Sequence, residues 1–335
     1  MPAGRPPASG DHAALIAAMR QHPWYVEEPS RGFVPRAPRM ILDAECQLLH
    51  WLAARAYSGR GDIADLGAFL GASTEAFGRG ARHNRKAPFG RRIIHSFDLF
   101  LCPRDAYSKE LIGHGRAPGD SILDLYQDNV AAISDLVEVY PGDVLRQSWR
   151  GGGIEILFVD IAKTHQINDR LLEAFFPRLT GPGAVVIHQD YNHPWLPWVH
   201  WTAQAMRPYC EYICDLGGSR VQVVARPVPA ETWVGCQWGR MSGAARRALL
   251  EREIAQNENR YSAAMVAMGL AWLTFLEEGL APGLAMLDPG RQPLLAERWV
   301  PEQVEAMRQS MTAMGDVEGY ERYHAELFAA QPSGG

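Results

Sequence analysis

The chain has 335 residues and a mass of 37.2 kDa, which is enough for one large domain with appendages or for two domains. Hydrophobic residues make up 47% of the chain and charged residues 21%, a composition that excludes a fibrous or wholly disordered protein. The net charge of −5 offers no positive field to a phosphate backbone, so we expect no nucleic-acid partner.

Residues 1–10 are rich in proline, glycine and small side chains, which predicts a disordered tail. No apolar run has the length of a signal peptide or a membrane span, so we expect a cytoplasmic protein with no membrane partner. The cysteines form no CxxC pair. Reduced and buried thiols are therefore predicted at Cys46, Cys102, Cys210, Cys214 and Cys236.

A helix is predicted after Asp11 and a stronger one over residues 39–57, where apolar residues recur at helical spacing. From Gly61 onward, short apolar runs alternate with longer helical segments. This alternation is typical of a parallel sheet with helices on both faces. The runs that predict strands cover residues 62–66, 92–97, 136–140, 154–159 and 183–188.

After the fifth strand, a short helix over residues 201–207 precedes two runs, 211–214 and 220–225, which a Gly-Gly turn joins into a hairpin. A nicotinamide-binding Rossmann domain would continue instead with a crossover helix and a parallel strand. Beyond residue 229 the pattern is helical, with predicted helices over residues 243–255, 259–278 and 302–314.

These elements predict an α/β protein with a Rossmann-like, doubly wound, mostly parallel seven-stranded sheet whose last strand is antiparallel. We expect an N-terminal tail and helical arm over residues 1–37, the α/β core over residues 38–228, and a helical C-terminal extension over residues 229–335.

The first strand leads through a glycine turn into a helix, with the pattern Asp65-x-Gly67-x-x-x-Gly71-x-x-Thr74. Gly67 and Gly71 allow the backbone to approach a ligand closely. We expect the hydroxyl of Ser73 or Thr74 to cap the helix. The strand-turn-helix context makes this segment a candidate cofactor site.

Acids also end the second and third strands, at Asp98 and Asp143. The carboxyl ends of parallel strands form the sheet edge at which such folds bind ligands, and an acid at the tip of the second strand suits ribose hydroxyls. The Asp65 pattern resembles motif I of the class I S-adenosylmethionine-dependent methyltransferases. The resemblance implies that Asp65 and Gly67 hold the methionine part of the cofactor and that Asp143 meets the adenine amino group. The expected cofactor-binding residues are Asp65, Gly67, Ala68, Gly71, Ser73, Thr74, Asp98 and Asp143.

Residues able to carry out proton chemistry follow the fourth and fifth strands: Asp160, Lys163, His165, Asp190 and His193. In the methyltransferase fold these two tips lie beside the cofactor's methyl group. His165 and His193 are the first candidates for the base, because the pKa of histidine lies near neutral pH. Lys163 is expected to stabilise an oxyanion, to act as a base if burial lowers its pKa, or to pair with Asp160 or Asp190.

Within the superfamily, the chain resembles the macrocin O-methyltransferase group, some members of which modify sugar hydroxyls with a divalent cation held by acids after strands four and five. Two of the carboxylates expected from this group are Ala162 and Gln189 here. Asp160 and Asp190 remain as metal ligands, and waters and substrate would have to complete the shell. The metal requirement therefore stays open.

The residues around the predicted reaction site include a tryptophan series at Trp195, Trp198 and Trp201. Their spacing by three would place them on one helical face, where they either stack on an acceptor or pack the core. His188 is expected to end a buried strand as a satisfied core group. The turn-rich segment over residues 101–121 is expected to border the acceptor pocket.

These features predict an enzyme that uses S-adenosylmethionine to methylate a hydroxyl of a sugar-containing or natural-product small molecule. The motif of exocyclic base-amine methyltransferases, Asn/Asp-Pro-Pro-aromatic, is absent after the fourth strand. Two alternatives stay open: a catalytically altered methyltransferase-fold module for binding or assembly, and a nicotinamide-dependent oxidoreductase, in which Asp98 would hold a ribose equally well. A homo-oligomer formed through the C-terminal helices also stays open.

Overall fold

A central sheet organises the part of the chain that the computed structural model describes, which is residues 11–86, 90–113 and 115–320. Within this part the sheet has seven strands: β1 (Asp62–Leu66), β2 (Ile94–Asp98), β3 (Val137–Pro141), β4 (Ile154–Val159), β5 (Val185–His188), β6 (Cys210–Leu216) and β7 (Ser219–Val224). The predicted tail over residues 1–10 and the end of the predicted extension over residues 321–335 lie outside the described residues.

The strands lie in the spatial order β3-β2-β1-β4-β5-β7-β6. Strands β1 to β5 are parallel, and β7 is antiparallel to both β5 and β6. This order confirms the predicted fold class, and it confirms the resemblance to class I methyltransferases at the level of the fold. A nicotinamide-binding domain would end in a parallel sixth strand, so the observed hairpin does not support the oxidoreductase alternative.

Helices cover both faces of the sheet. The helices up to the hairpin are α1 (Asp11–Met19), α2 (Asp43–Trp51), α3 (Ala72–Arg82), α4 (Ala106–Ile112), α5 (Leu123–Val130), α6 (His165–Ala174) and α7 (Pro197–Met206). The helices after it are α8 (Ala230–Gly235), α9 (Gly243–Gln256), α10 (Arg260–Glu278), α11 (Leu280–Met286) and α12 (Pro301–Met314).

Side chains of β1 and β4 alternate between the two faces, because successive residues of a strand point in opposite directions. Ile63 and Phe158 pack with α2 and α3, whereas Leu66 and Leu157 pack with α6 and α7. Both strands are buried along their whole length, as is typical of central parallel strands. The carboxyl ends of these two strands lie at the sheet edge where the cofactor site is predicted.

Helix α10 forms the centre of the C-terminal extension. It is apolar on all sides and buried from Ser262 to Phe275, because it packs between α7 and α9 on one side and α11 and α12 on the other. The extension is therefore joined to the core through α7. Among the helices of the described residues, none combines the length and apolar character needed to span a membrane.

Several predicted strands are displaced by one or two residues at their ends, and three other segments differ from their predictions more strongly. The helix predicted over residues 39–57 begins only at Asp43, and its last part, Leu52–Ala56, is a π-helix. The helix predicted over residues 201–207 begins four residues earlier at Pro197, since proline is favoured in the first turn of a helix. The segment over residues 101–121 contains the short helix α4, which its many turn residues concealed.

Candidate active site

The turn between β1 and α3 brings the tip of β1 against the tip of β4. Gly67 and Gly71 have positive φ angles of 102° and 94°, which glycine adopts without steric cost. A Cβ atom at Gly67 would lie 2.5 Å from the carbonyl oxygen of Asp160, and one at Gly71 would lie 2.8 Å from Cγ1 of Val130. Ala68 between them is buried. The two glycines are therefore required for the close approach of protein segments around the turn.

Asp65 is fully buried beneath this turn. Its two carboxylate oxygens accept hydrogen bonds of 2.9 and 3.0 Å from the Ser73 hydroxyl, and one also accepts from Thr74. Burial raises the pKa of Asp65 to about 6. The predicted hydroxyl cap is wrong, because these hydroxyls donate to Asp65 and the N-cap residue of α3 is Gly71. Asp65 thus fixes the turn, and its direct contact with a ligand stays a prediction.

Asp98 at the tip of β2 is held by two backbone N–H groups. Its carboxylate accepts hydrogen bonds of 2.9 Å from Phe69 and 2.7 Å from Phe100, both of which have positive φ. Burial raises the pKa of Asp98 despite these two bonds. A carboxylate has about four acceptor positions, so the group retains capacity for further donors.

Asp143 lies beside Asp98, because the backbone N–H of Gly142 donates a 2.8 Å hydrogen bond to the Asp98 carbonyl oxygen. Its carboxylate is partly exposed and accepts a 2.9 Å bond from the N–H of Leu145. Asp65 and Asp98 interact electrostatically. The structure therefore places all three predicted acids at one edge of the sheet, and their contacts with a cofactor stay predictions.

Lys163 joins the tips of β4 and β5. Its Nζ atom lies 2.9 Å from Oδ1 of Asp160 and also donates a hydrogen bond to Asp190. Although burial opposes the charged form, the two carboxylates raise the pKa of Lys163 above its ordinary value. The predicted ion pair is thus present with both acids. The lowered pKa that a lysine base would require is not found.

The ammonium of Lys163 occupies the position between Asp160 and Asp190 where a divalent cation would bind them both. The neighbouring positions Ala162 and Gln189 supply no carboxylate. Within the described residues, no group of three His, Cys, Asp or Glu side chains is arranged to hold a metal ion. With Lys163 in this position the donor set does not fit a divalent cation, and we assign no step to one.

The two predicted histidine bases lie in different surroundings. The ring of His165 stacks on Trp238, with centroids 4.6 Å apart and planes 22° from parallel, and it meets the edge of Trp198. His193 is exposed and interacts electrostatically with Asp190 and Lys163. His193 therefore lies close to the ion-pair cluster.

His193 also borders a groove of about 310 Å³ next to that cluster. Its lining includes Asp190, His193, Trp195, Tyr261, Met265 and Gln303, whereas His165 is not among its lining residues. Tyr261 and Met265 belong to α10 and Gln303 belongs to α12, two helices that no sequence pattern connects with the site. This groove lies beside the predicted reaction site, because Asp190 and His193 line it.

The three tryptophans do not share one helical face. Trp198 and Trp201 lie in α7 and are fully buried, and their indole N–H groups donate to the carbonyl oxygens of Ala162 and Cys236 at 2.6 and 3.0 Å. Trp195 precedes the helix, is partly exposed and lies at the groove. Two tryptophans therefore pack the core, and one is available to a ligand.

His188 ends β5 and is buried, as predicted, with its ring stacked on Phe176 at 5.9 Å. Burial lowers its pKa to about 3. Its Nε2 atom has no hydrogen-bond partner among the described residues, so the prediction of a satisfied ring is wrong. All five cysteines are free and buried, as predicted.

A buried ionic network behind Asp190 was not predicted. The guanidinium of Arg220 in β7 donates hydrogen bonds of 2.8 and 2.9 Å to Asp215 and another to Glu253 of α9. It also lies 3.7 Å from the ring centroid of Tyr191, whose hydroxyl donates a 2.5 Å bond to Glu253. These residues come from segments far apart in sequence, and no local pattern indicates that they meet.

No protein-family profile matches the chain, and no curated protein matches it. Solved structures that match the chain at low identity include the O-methyltransferase NovP (14% identity, TM-score 0.39, 64% of this chain and 100% of NovP covered). CalS11, a calicheamicin methyltransferase, matches with 14% identity and a TM-score of 0.40 over 67% of this chain and 99% of its own. A coclaurine N-methyltransferase bound to N-methylheliamine and SAH matches with 12% identity and a TM-score of 0.28, over 82% and 85% of the two chains. The function proposed below rests on this chain's own strand order and site residues.

Proposed function

We propose that the protein transfers a methyl group from S-adenosylmethionine to a hydroxyl oxygen of a sugar-containing or natural-product small molecule. The observation that carries the proposal is a continuous set of contacts along one sheet edge. The Gly67 backbone touches Asp160, Asp160 pairs with Lys163, and Lys163 bonds to Asp190 at the groove. A donor at the glycine turn and an acceptor in the groove would meet at this cluster.

The tips of β1, β2 and β3 provide the groups suited to the cofactor. When bound, S-adenosylmethionine supplies an electrophilic methyl group on a sulfonium. The Asp98 carboxylate, fixed by two backbone N–H groups, has acceptor capacity left for ribose hydroxyls. Asp143 is partly exposed and available to an amine. The N–H groups of Gly67 and Ala68 already donate to the Phe97 carbonyl oxygen, so the turn would meet the ammonium of the methionine part with carbonyl oxygens.

The groups beside the groove are suited to activating the hydroxyl group of the acceptor. His193 is assigned as the base that takes the hydroxyl proton at a ring nitrogen, since desolvation lowers the pKa of His193 below its ordinary value and thereby favours the neutral imidazole. Lys163 is held as a cation by Asp160 and Asp190, and its charge would stabilise the developing alkoxide. His165 is the alternative base, although it packs against Trp238 outside the groove.

The test is the formation of S-adenosylhomocysteine from S-adenosylmethionine in the presence of a panel of hydroxylated small molecules. Replacing His193 by Ala should lower turnover by about 10²- to 10⁴-fold, the usual contribution of a general base. Affinity for S-adenosylhomocysteine should stay unchanged. His22→Ala, at an exposed position in the N-terminal arm, is the matched control and should turn over normally.

Unchanged turnover in His193→Ala would reject His193 as the base and move the assignment to His165. A protein that binds S-adenosylhomocysteine but forms none of it with any acceptor would favour the alternative function, a methyltransferase-fold binding or assembly module.

A further inference from the structure

The C-terminal extension supplies one wall of the groove beside Asp190. Tyr261 and Met265 of α10, together with Gln303 of α12, line it on the side of the extension. Asp190 and the loop after β5 line it on the side of the core. The groove therefore lies between the extension and the α/β core, and it needs residues from both.

The core wall is tied to the buried Arg220 network. Tyr191 directly follows Asp190, and its hydroxyl donates a 2.5 Å hydrogen bond to Glu253 of α9. The Arg220 guanidinium pairs with the same carboxylate and lies over the Tyr191 ring. The position of the turn that carries Asp190 is thus fixed by a residue of the extension.

The extension wall is tied to the same network. Ser262 directly follows Tyr261, and its hydroxyl donates a 2.5 Å hydrogen bond to Asp215 of the hairpin. Asp215 is bonded in turn by two nitrogens of Arg220. Because both walls are held by one buried arginine, the width of the groove is set by the fold, as is usual for a preformed binding site.

The lining combines flat rings with a polar edge. The rings of His193 and Trp195 have centroids 5.2 Å apart and are tilted by 59°, and Tyr261 contributes a third ring. Aromatic faces of this kind pack against the C–H faces of a saturated ring, while the Asp190 carboxylate can accept hydrogen bonds from hydroxyl groups. The chemistry suits a ring that bears several hydroxyl groups.

The charge and the volume of the groove restrict the class of ligand further. Among the described residues the groove lining contains no arginine or lysine, and the Lys163 ammonium beside it is already paired with Asp160 and Asp190, so a phosphate or diphosphate would find no unpaired cation in the lining. Its volume of about 310 Å³ lies at the lower end of the range for small-molecule sites. An uncharged ring of monosaccharide size fits both conditions better than a nucleotide sugar.

We infer that this groove is the acceptor site, that it binds an uncharged hydroxylated ring of monosaccharide size, and that the C-terminal extension is thereby part of the active site. The inference rests on the proposed function. It assigns Trp195 and Tyr261 as the residues whose rings hold the acceptor.

The experiment is saturation-transfer NMR on the full chain with S-adenosylhomocysteine present and the methyl glycosides of glucose, galactose and rhamnose as probes. We expect at least one glycoside to bind with a dissociation constant on the order of 1 mM, as is usual for so small a ligand. Trp195→Ala and Tyr261→Ala should each weaken that binding about tenfold. Tyr25→Ala, at a tyrosine that is 42% exposed and outside the groove, is the matched control.

Failure of all three glycosides to bind, equal binding by the wild type and both groove variants, or tighter binding of glucose 1-phosphate would each overturn the inference. Calorimetry with S-adenosylhomocysteine on the same samples separates this failure from failure of the proposed function. Both groove variants should keep wild-type affinity for S-adenosylhomocysteine, because their rings do not belong to the tips of β1, β2 or β3.

Discussion

The Nζ atom of Lys163 lies 2.9 Å from Oδ1 of Asp160, three residues earlier in the chain, and the same ammonium also bonds Asp190. The lysine thereby neutralises two carboxylates that face each other at adjacent strand tips. At the position where the resemblance implied a divalent cation, this chain places the ammonium of Lys163.

This arrangement predicts how the protein responds to metal ions. The wild-type protein should bind Mn²⁺ weakly and keep its activity in a chelator, because Lys163 already occupies the position between the acids. Lys163→Ala should bind one Mn²⁺ at least about tenfold more tightly, since two unpaired carboxylates then face each other. Electron paramagnetic resonance of free Mn²⁺ measures the binding directly. Lys109→Ala, in α4, is the control, and stoichiometric Mn²⁺ binding by the wild type would contradict the account.

The close approach of the glycine turn to the tip of β4 predicts that adding a side chain at Gly67 strongly lowers the free energy of unfolding. A Cβ atom there would lie 2.5 Å from the Asp160 carbonyl oxygen, and φ is 102°. Gly32 also has positive φ, 67°, but nothing lies within 4 Å of the corresponding position. Gly67→Ala should therefore lower the free energy of unfolding by about 2 kcal/mol more than Gly32→Ala. Urea denaturation of the two variants measures the difference, and equal costs would show that the close approach is absent.

Buried neutral histidines predict a loss of stability in acid. Burial lowers the pKa of His200 from 6.5 to about 3, and its Nε2 atom bonds the Tyr191 carbonyl oxygen at 2.7 Å. Its contribution to stability is present above pH 6.5 and is lost as the pH falls from there toward 3, because only the unfolded chain takes up the proton. At pH 5 this lowers the free energy of unfolding by about 2 kcal/mol relative to neutral pH.

The variant His200→Gln keeps a donor for Tyr191 but does not titrate. Its free energy of unfolding should differ between pH 7 and pH 5 by about 2 kcal/mol less than that of the wild type. His22→Gln, at an exposed position, should leave the pH dependence unchanged. An identical pH dependence in His200→Gln and wild type would mean that His200 is not kept neutral by burial.

The Arg220 network predicts that the extension and the core unfold together. Arg220→Met removes the buried guanidinium that pairs with the carboxylates of Asp215 and Glu253, which should cost about 3 to 5 kcal/mol. Arg260→Met removes an ion pair whose arginine side chain is 67% exposed and should cost at most about 1 kcal/mol. Thermal unfolding measures both. Similar costs in the two variants would show that the network does not hold the extension.

The sequence was most informative where burial is continuous. The predicted bounds of β1 and β4 agree with the structure at both ends, because central parallel strands are buried on both faces and glycines or Asp160 directly flank these two. The antiparallel ending of the sheet was also predicted, from a Gly-Gly turn between two short apolar runs. The positions of the three acids at the strand tips were also predicted, because each acid lies at or near the end of an apolar run that predicts a strand.

Tertiary contacts explain what the sequence could not reveal. Ser73 and Thr74 have the local signature of capping residues, but the buried carboxylate of Asp65 takes their hydroxyl groups. The groove wall depends on Tyr261 meeting the loop after β5, a contact that Arg220 holds through partners distant in sequence. Periodicity identifies the face that a helix buries, but it does not identify the residue that this face meets.

The most direct test of the central claim is isothermal titration calorimetry of the full chain with S-adenosylhomocysteine, comparing wild type with Asp98→Asn. The wild type should bind one molecule per chain, and Asp98→Asn should bind it about 10- to 100-fold more weakly, as expected for hydrogen bonds to a charged group. Asp128→Asn, exposed on α5, should bind like the wild type. No binding by the wild type, or equal affinity in wild type and Asp98→Asn, would contradict the account.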